Sequence, residues 1–281
     1  VKQHQRYPVF VISKGRADKC LTAKFLVRDG IPFRLVVEPQ EADAYAKEFG
    51  HERLLVTPFS NLGLGSIPAR NFVWETAKVE KAERHWTLDD NIRGVWRRYK
   101  TKKIRSHSRP AFRVLEDLVD RYENVGLAGL NYYMFAPERM KVAPFTLNVH
   151  VYSFILVRTD LPFRWRGRYN EDTDLCLQVL SAGWCTILLN AFLAWKTTTM
   201  TMKGGNTDQL YQADGRLKMA RSLQRMWPRV VTTKRRFGRP QHVIRDSWRG
   251  FDTPLKLKKG VDLSKLPTVD EYGLKLTRVK P

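Results

Sequence analysis

The chain has 281 residues, with 50 Lys and Arg against 28 Asp and Glu and a formal net charge of +22. That length holds one large domain, or a domain with an appendage, around a sizeable core. The surplus positive charge says little about fold but predicts attraction to polyanions, nucleic acid first and an anionic membrane surface second. No apolar run reaches the roughly 18 residues that a membrane-spanning helix needs. The polar start Lys2–Arg6, followed by the short apolar run Val9–Ile12, predicts no signal peptide. The three cysteines, Cys20, Cys176 and Cys185, follow no metal or redox spacing, which fits a reducing cytoplasm.

In chain order, Pro8–Ser13 reads as a buried strand ending in the polar turn Ser13-Lys14-Gly15-Arg16. Lys19–Asp29 reads as a helix stopped by Gly30, with Pro32 beyond. Phe33–Glu38 is a second strand closed by Pro39, Gln40–Phe49 a helix closed by Gly50, and Arg53–Thr57 a third strand. The Gly-rich loop Asn61–Ser66 and a helix over Pro68–Glu83 follow, then Trp86–Leu88 and the adjacent carboxylates Asp89 and Asp90. This alternation predicts βαβ units in a parallel sheet, with ligands at the carboxyl ends of its strands. Beyond the strongly basic stretch 93–109, Ala111–Tyr122 and Asp172–Ser181 read as helices. Gly126–Phe135, Asn148–Val157 and Cys185–Asn190 read as strands. From about residue 216 basic residues far outnumber acidic ones, and Trp227, Phe237, Trp248 and Phe251 are scattered without period. The expected organisation is a domain over 1–215 and a basic, largely irregular extension over 216–281, packed on it through those aromatics.

Several polar clusters carry candidate chemistry. Asp89 and Asp90 at a strand end offer hard oxygen ligands for Mg²⁺ or Mn²⁺ against a diphosphate, although an Asp-Asp-Asn surface turn has the same composition. The turn Ser13, Lys14, Gly15, Arg16 can approach a nucleotide with its backbone, Arg16 can pair with a phosphate, and Glu38 can accept from a base or ribose. Gly63, Gly65, Ser66 and Arg70 form neither a P-loop nor a dinucleotide fingerprint but can lie over a nucleotide. Glu171, Asp172 and Asp174 open a helix; a cap explains one acid, and a general base explains another. Lys196 or Lys203 can neutralise a diphosphate, with Gly204-Gly205 allowing a flap. The six histidines are isolated in sequence, and His242 is the best of them for a third metal ligand.

Taken in order, these clusters resemble the GT-A glycosyltransferase fold, an α/β Rossmann-like mixed sheet flanked by helices, over about residues 8–205. The finer resemblance is to the TET/JBP-associated glycosyltransferases of phages, which glycosylate 5-hydroxymethylcytosine in DNA. It is carried by Val11–Arg16, Val36–Pro39, Trp86–Asn91 and Tyr169–Asp174. The resemblance implies a UDP-sugar donor, a divalent metal (Mn or Mg) and a hydroxymethylated, duplex DNA acceptor whose base is flipped out. It implies that Asp90 is the main metal ligand and that Asp89 holds ribose or metal. Ser13, Lys14, Gly15, Arg16, Glu38, Gly65, Ser66, Arg70 and Lys203 would bind the donor. Asp172, with Glu171 second, would be the acceptor base. The motif is Asp-Asp-Asn rather than Asp-x-Asp, which leaves the sharing of metal contacts open. Residues 93–109 and 234–249 are the expected phosphate tracks, and Tyr132, Tyr133 and Phe135 the expected base-stacking aromatics. No membrane partner is expected, and the expected compartment is cytoplasmic.

Three alternatives fit part of the pattern. A GT-A enzyme acting on a glycan, lipid carrier or protein would use the same acids. A nucleotidyltransferase also joins an α/β sheet to metal-binding carboxylates. A non-catalytic nucleic-acid-binding protein on a degenerate transferase fold would explain the charge, but gains nothing from carboxylates in its cleft.

Overall fold

The computed structural model describes residues 5–139, 142–197, 215–236, 238–244 and 250–275. Its strands are β1 (Val9–Ile12), β2 (Arg34–Val37), β3 (Leu54–Val56), β4 (Arg84–Asp89), β5 (Ile92–Tyr99), β6 (Lys102–Ser106), β7 (Val125–Tyr132), β8 (Phe145–Leu147), β9 (Phe154–Arg158), β10 (Cys185–Lys196), β11 (Val231–Arg236) and β12 (Arg239–Ile244). Its helices are α1 (Leu21–Arg28), α2 (Ala42–Phe49), α3 (Ile67–Val79), α4 (Arg109–Val119), α5 (Glu171–Ser181) and α6 (Gly215–Met226). The main sheet runs β3-β2-β1-β4-β9-β7-β10-β5-β6, with β8 paired to β10.

The expected parallel βαβ pattern holds on one side, where β3, β2, β1 and β4 are all parallel. The other side is mixed, because β9 is antiparallel to both β4 and β7. The sheet therefore has the mixed α/β architecture expected of a GT-A-type domain. Period-two alternation explains how both faces are covered. Val9 and Val11 of β1, Trp86 and Leu88 of β4, and Phe154 and Leu156 of β9 join a core with Phe25, Tyr45 and Phe112 from α1, α2 and α4. Phe10 faces the opposite side with Val73 and Ala77 of α3, and Ile155 and Val157 pack with Cys176 and Val179 of α5. Gly129 lets β7 approach β9 closely, since a Cβ there would lie 2.8 Å from the Phe154 carbonyl oxygen.

Three expectations are corrected. The strand foreseen over Asn148–Val157 begins only at Phe154, because Asn148 and Ser153 adopt left-handed backbone (φ 53° and 58°). The strand foreseen over Cys185–Asn190 continues to Lys196, bridging β7 on one edge to β8 and β5 on the other. The C-terminal stretch is more regular than foreseen: α6 and the β11–β12 hairpin are built from it, and only 250–275 is largely irregular. Leu223, Trp227 and Phe251 from this stretch pack against Leu177 of α5. Trp248 and Phe237 lie outside the described residues.

Candidate active site

The parallel strands β1 and β4 end side by side, with Ile12 in register with Asp89. Order reverses there, since β1 connects to β2 on one side while β4 flanks it on the other, and such a switch point opens a crevice. A cavity of about 480 Å³ occupies it. Of the residues singled out in sequence, Ser13, Lys14, Arg16, Glu38, Gly65, Ser66, Arg70, Asp89, Asp90, Glu171, Asp172 and His242 all line this cavity. Gly15 does not line it; its left-handed turn (φ 66°) aims its amide at Glu41 Oε1, 2.7 Å away. Lys203 lies outside the described residues.

One end of the cavity is a ring of paired side chains. Lys14 Nζ donates to Glu38 Oε2 at 2.7 Å and to Asn61 Oδ1 at 2.9 Å. Burial pushes the Glu38 carboxyl up, but Lys14 and the Asn61 amide outweigh it and hold the group below its ordinary value.

The two aspartates are held differently. Arg16 Nη1 donates to Asp90 Oδ1 at 2.7 Å, and Ser13 Oγ donates to Asp90 Oδ2 at 2.8 Å. Burial dominates there and pushes the Asp90 carboxyl up despite Arg16. Asp89 accepts from Arg70 Nη2 at 2.8 Å, from Lys196 Nζ at 2.8 Å and from Ser153 Oγ at 2.6 Å. Burial raises its pKa, and Lys196 and Arg70 together more than reverse that, leaving it well below the usual carboxylate range.

The acids at the head of α5 divide into three roles. Glu171 accepts from Ser66 Oγ at 2.9 Å and lies 3.7 Å from Arg70. Asp174 is fully buried and structural, accepting from Arg166 at 2.9 Å, Gln178 at 2.8 Å and Trp227 Nε1 at 2.7 Å. Asp172 has its Oδ2 3.4 Å from the Ser153 amide, while its buried Oδ1 has no hydrogen-bond partner. Arg70 Nη2 is 3.6 Å from that Oδ1. Burial is the largest influence on Asp172 and, against Arg70, lifts its carboxyl to about 7. Arg70 Nη1 is also buried without a partner, and its guanidinium stacks on Trp165 at 4.5 Å.

The opposite wall is aromatic. Tyr132 and Tyr152 pack at 4.1 Å between centroids, and Phe135, 57% exposed, borders them at the rim. Of the three aromatics foreseen for stacking, Phe135 alone offers an open face on this cavity. Tyr132 is held by Ser153 and Lys196, and Tyr133 packs against Trp96 and Lys103. His150 and His242 complete the wall, and burial lowers both imidazoles, His150 to about 3.

The carboxylates expected to hold a metal already accept from neighbouring side chains. Asp90 is occupied by Arg16 and Ser13, Asp89 by Arg70, Lys196 and Ser153, and His242 joins neither. Among the described residues no three His, Cys, Asp or Glu side chains gather to hold a metal ion. A hard divalent ion is commonly held by one or two carboxylates together with substrate phosphates and waters, so at Asp89 or Asp90 it would compete with Arg16, Arg70 and Lys196.

Two residues here carry little sequence signal. Ser153 joins Asp89 to Asp172 only because its left-handed backbone turns the amide one way and the hydroxyl another. Met219 enters from α6, whose carbonyl at that residue accepts from Asn170 at the cap of α5. Lys196 was legible as a cation able to neutralise a diphosphate, though not its pairing with Asp89.

The α/β crevice at a topological switch point is thus lined by interleaved buried cations and carboxylates, among them Asp172 with one oxygen lacking a hydrogen-bond partner. Residues 7–205 match the TET-associated glycosyltransferase family, and the chain belongs to that family. It is a glycosyltransferase. No curated protein matches it in sequence. A solved structure from Desulfovibrio desulfuricans G20, described as a nucleotide-diphospho-sugar transferase, is 10% identical, covering 66% of this chain and 80% of that one, with a TM-score of 0.36. Among the described residues no helix is long and apolar enough to cross a membrane.

Proposed function

We propose that this glycosyltransferase moves a sugar from a UDP-sugar to the hydroxymethyl group of 5-hydroxymethylcytosine in DNA. The observation that carries the reading is the buried Asp172 Oδ1, a carboxylate oxygen of the cavity wall with no hydrogen-bond partner, 3.6 Å from Arg70. Such an oxygen is placed to accept a proton from an incoming hydroxyl.

In this reading the donor diphosphate lies against Arg70 and Lys196, with the uridine toward Ser13, Lys14 and Glu38. The acceptor oxygen attacks the anomeric carbon, its proton passes to Asp172, and the carbon–oxygen bond to the diphosphate breaks with its electrons leaving on UDP. Glu171 keeps Ser66 and Arg70 in place rather than taking the proton, because its Oε1 already accepts from Ser66.

A DNA acceptor accounts for the surroundings of the cavity. Two exposed hairpins are strongly basic. The first, β5–β6, exposes Arg93, Lys100, Lys102 and Arg105, and its Lys103 donates to the Tyr133 carbonyl beside Phe135. The second, β11–β12, exposes Lys234, Arg235, Arg236 and Arg239 and supplies His242 to the wall. Lysine and arginine on projecting hairpins suit phosphate contacts that hold a duplex while one base is turned out. The basic segment 245–249 of the expected second track lies outside the described residues.

The test is incubation with a panel of UDP-sugars and duplex DNA containing 5-hydroxymethylcytosine, followed by digestion to nucleosides and mass spectrometry. A hexose or N-acetylhexosamine added to the hydroxymethylated nucleoside is the expected result. UDP release without a modified nucleoside would leave a glycosyltransferase with another acceptor.

A further inference from the structure

We infer that the charge receiving the departing diphosphate is built from the chain itself, by Arg70 and Lys196, in place of a divalent metal. This rests on the UDP-sugar reading above. Asp89, Asp90, Glu171 and Asp172 meet the cations Arg16, Arg70 and Lys196 in one connected cluster. In a site designed around a metal, adjacent strand-end carboxylates would be the ion's ligands. Here each is closed by a buried cation: Arg16 on Asp90, and Arg70 with Lys196 on Asp89.

The two cations facing Asp89 are placed for a second task. Arg70 is 2% exposed, yet its Nη1 is a buried donor with no partner. Its stacking on Trp165 and its contacts with Asp89, Glu171 and Asp172 fix the plane of the guanidinium, so Nη1 points in one direction without reorganising. Lys196 donates to Asp89, Ser153 and, at a longer 3.2 Å, to the Tyr132 hydroxyl. The Tyr132 contact is the one an arriving phosphate oxygen exchanges. Both side chains line the cavity. Asp89, Glu171 and Asp172 balance these two cations at rest, and once Asp172 takes the acceptor proton their fixed donors face the developing negative charge without waiting for solvent.

The step balances without a metal. The glycosidic carbon–oxygen bond breaks, its electron pair goes to the β-phosphate oxygen, and the new negative charge faces Arg70 and Lys196. The proton of the acceptor hydroxyl resides on Asp172.

The test measures binding of UDP and UMP by titration calorimetry to metal-stripped full-length protein, in EDTA and then in excess Mn²⁺. UDP is expected to bind in EDTA at least about tenfold more tightly than UMP, with Mn²⁺ adding little. UDP binding that needs Mn²⁺ overturns the inference while leaving the donor reading intact. Failure to bind UDP or UMP under either condition overturns both. Lys196→Met should remove the preference for UDP over UMP and slow UDP release from the transferred UDP-sugar by about a hundredfold or more, without rescue by Mn²⁺. Lys196→Arg should restore most of both. Full rescue of Lys196→Met by Mn²⁺, or an unchanged UDP preference, overturns the role of Lys196. The wild-type comparison stands even where Lys196→Met fails to fold.

Discussion

Lys196, the last residue of β10, sets its ammonium 2.8 Å from the carboxylate of Asp89, the last residue of β4. The two strands are separated in the sheet by β9 and β7. Their ends nevertheless meet over Ser153, whose hydroxyl touches both side chains. The electrostatics of the cleft depend on that meeting.

Removing the acceptor base should separate chemistry from donor binding. Asp172→Asn keeps the shape of the side chain and removes its ability to take a proton, so turnover should fall by roughly 10²–10⁴-fold. UDP affinity, read by calorimetry, should change little. A collapse of UDP affinity would instead place Asp172 in the donor site.

The same carboxyl predicts the pH profile. Burial lifts Asp172 to about 7, so the proton-accepting form gains population as pH rises through neutrality. Turnover should climb over that range and level off above it, and this limb should be absent from what remains in Asp172→Asn. The stability effect has the opposite sense. The folded value lies above the unfolded carboxylate value of about 3.9, so the folded state holds this proton more tightly. Its contribution to stability is present below about 4 and is lost as pH rises through about 7. Melting curves of wild type and Asp172→Asn from pH 5 to pH 8, to be run at about unit intervals, should diverge in favour of the variant toward higher pH.

Phe135 should matter for the acceptor alone. It is exposed at the rim of the cavity and packs edge-on to Tyr152. Loss of a base-stacking face is worth about 1–3 kcal/mol, so Phe135→Ala should raise the acceptor KM while leaving UDP binding intact. Tyr133→Ala, which faces Trp96 and Lys103, serves as the comparison and should not raise it as much.

The β11–β12 hairpin should show itself in the salt dependence of DNA binding. Each phosphate contact contributes about one unit to the slope of log affinity against log salt. Arg235→Ala and Arg236→Ala should each flatten that slope by roughly that amount and weaken binding to all sequences alike. An unchanged slope for both would remove this hairpin from the interface.

Trp227→Phe tests the anchoring of the C-terminal unit. The change deletes the Nε1 donor to fully buried Asp174 while keeping most of the packing against Leu177 and Leu223. A buried acceptor that loses a partner costs about 1–3 kcal/mol, to be read from urea unfolding of the variant. A cost near zero would mean that Arg166 and Gln178 satisfy Asp174 by themselves.

Much of the site was legible in the sequence because it lies at strand and helix ends. Ser13, Glu38, Asp89 and Asp90 follow short apolar runs, and Glu171 and Asp172 open an amphipathic segment. Local periodicity therefore put each on the face where a parallel sheet opens its crevice. The match to a glycosyltransferase family was legible for the same reason, since these short segments keep their order along the chain. What each acid faces was decided only by tertiary structure. Asp89 and Asp90 are neighbours with the same side chain, yet Lys196 and Arg70 hold one low while burial raises the other. Asp172 and Asp174 differ by two positions, yet one keeps an oxygen without a hydrogen-bond partner and the other is sealed by Trp227. Pairing of this kind depends on through-space distances of a few ångströms between residues far apart in the chain. Side-chain type and local spacing carry no information about those distances.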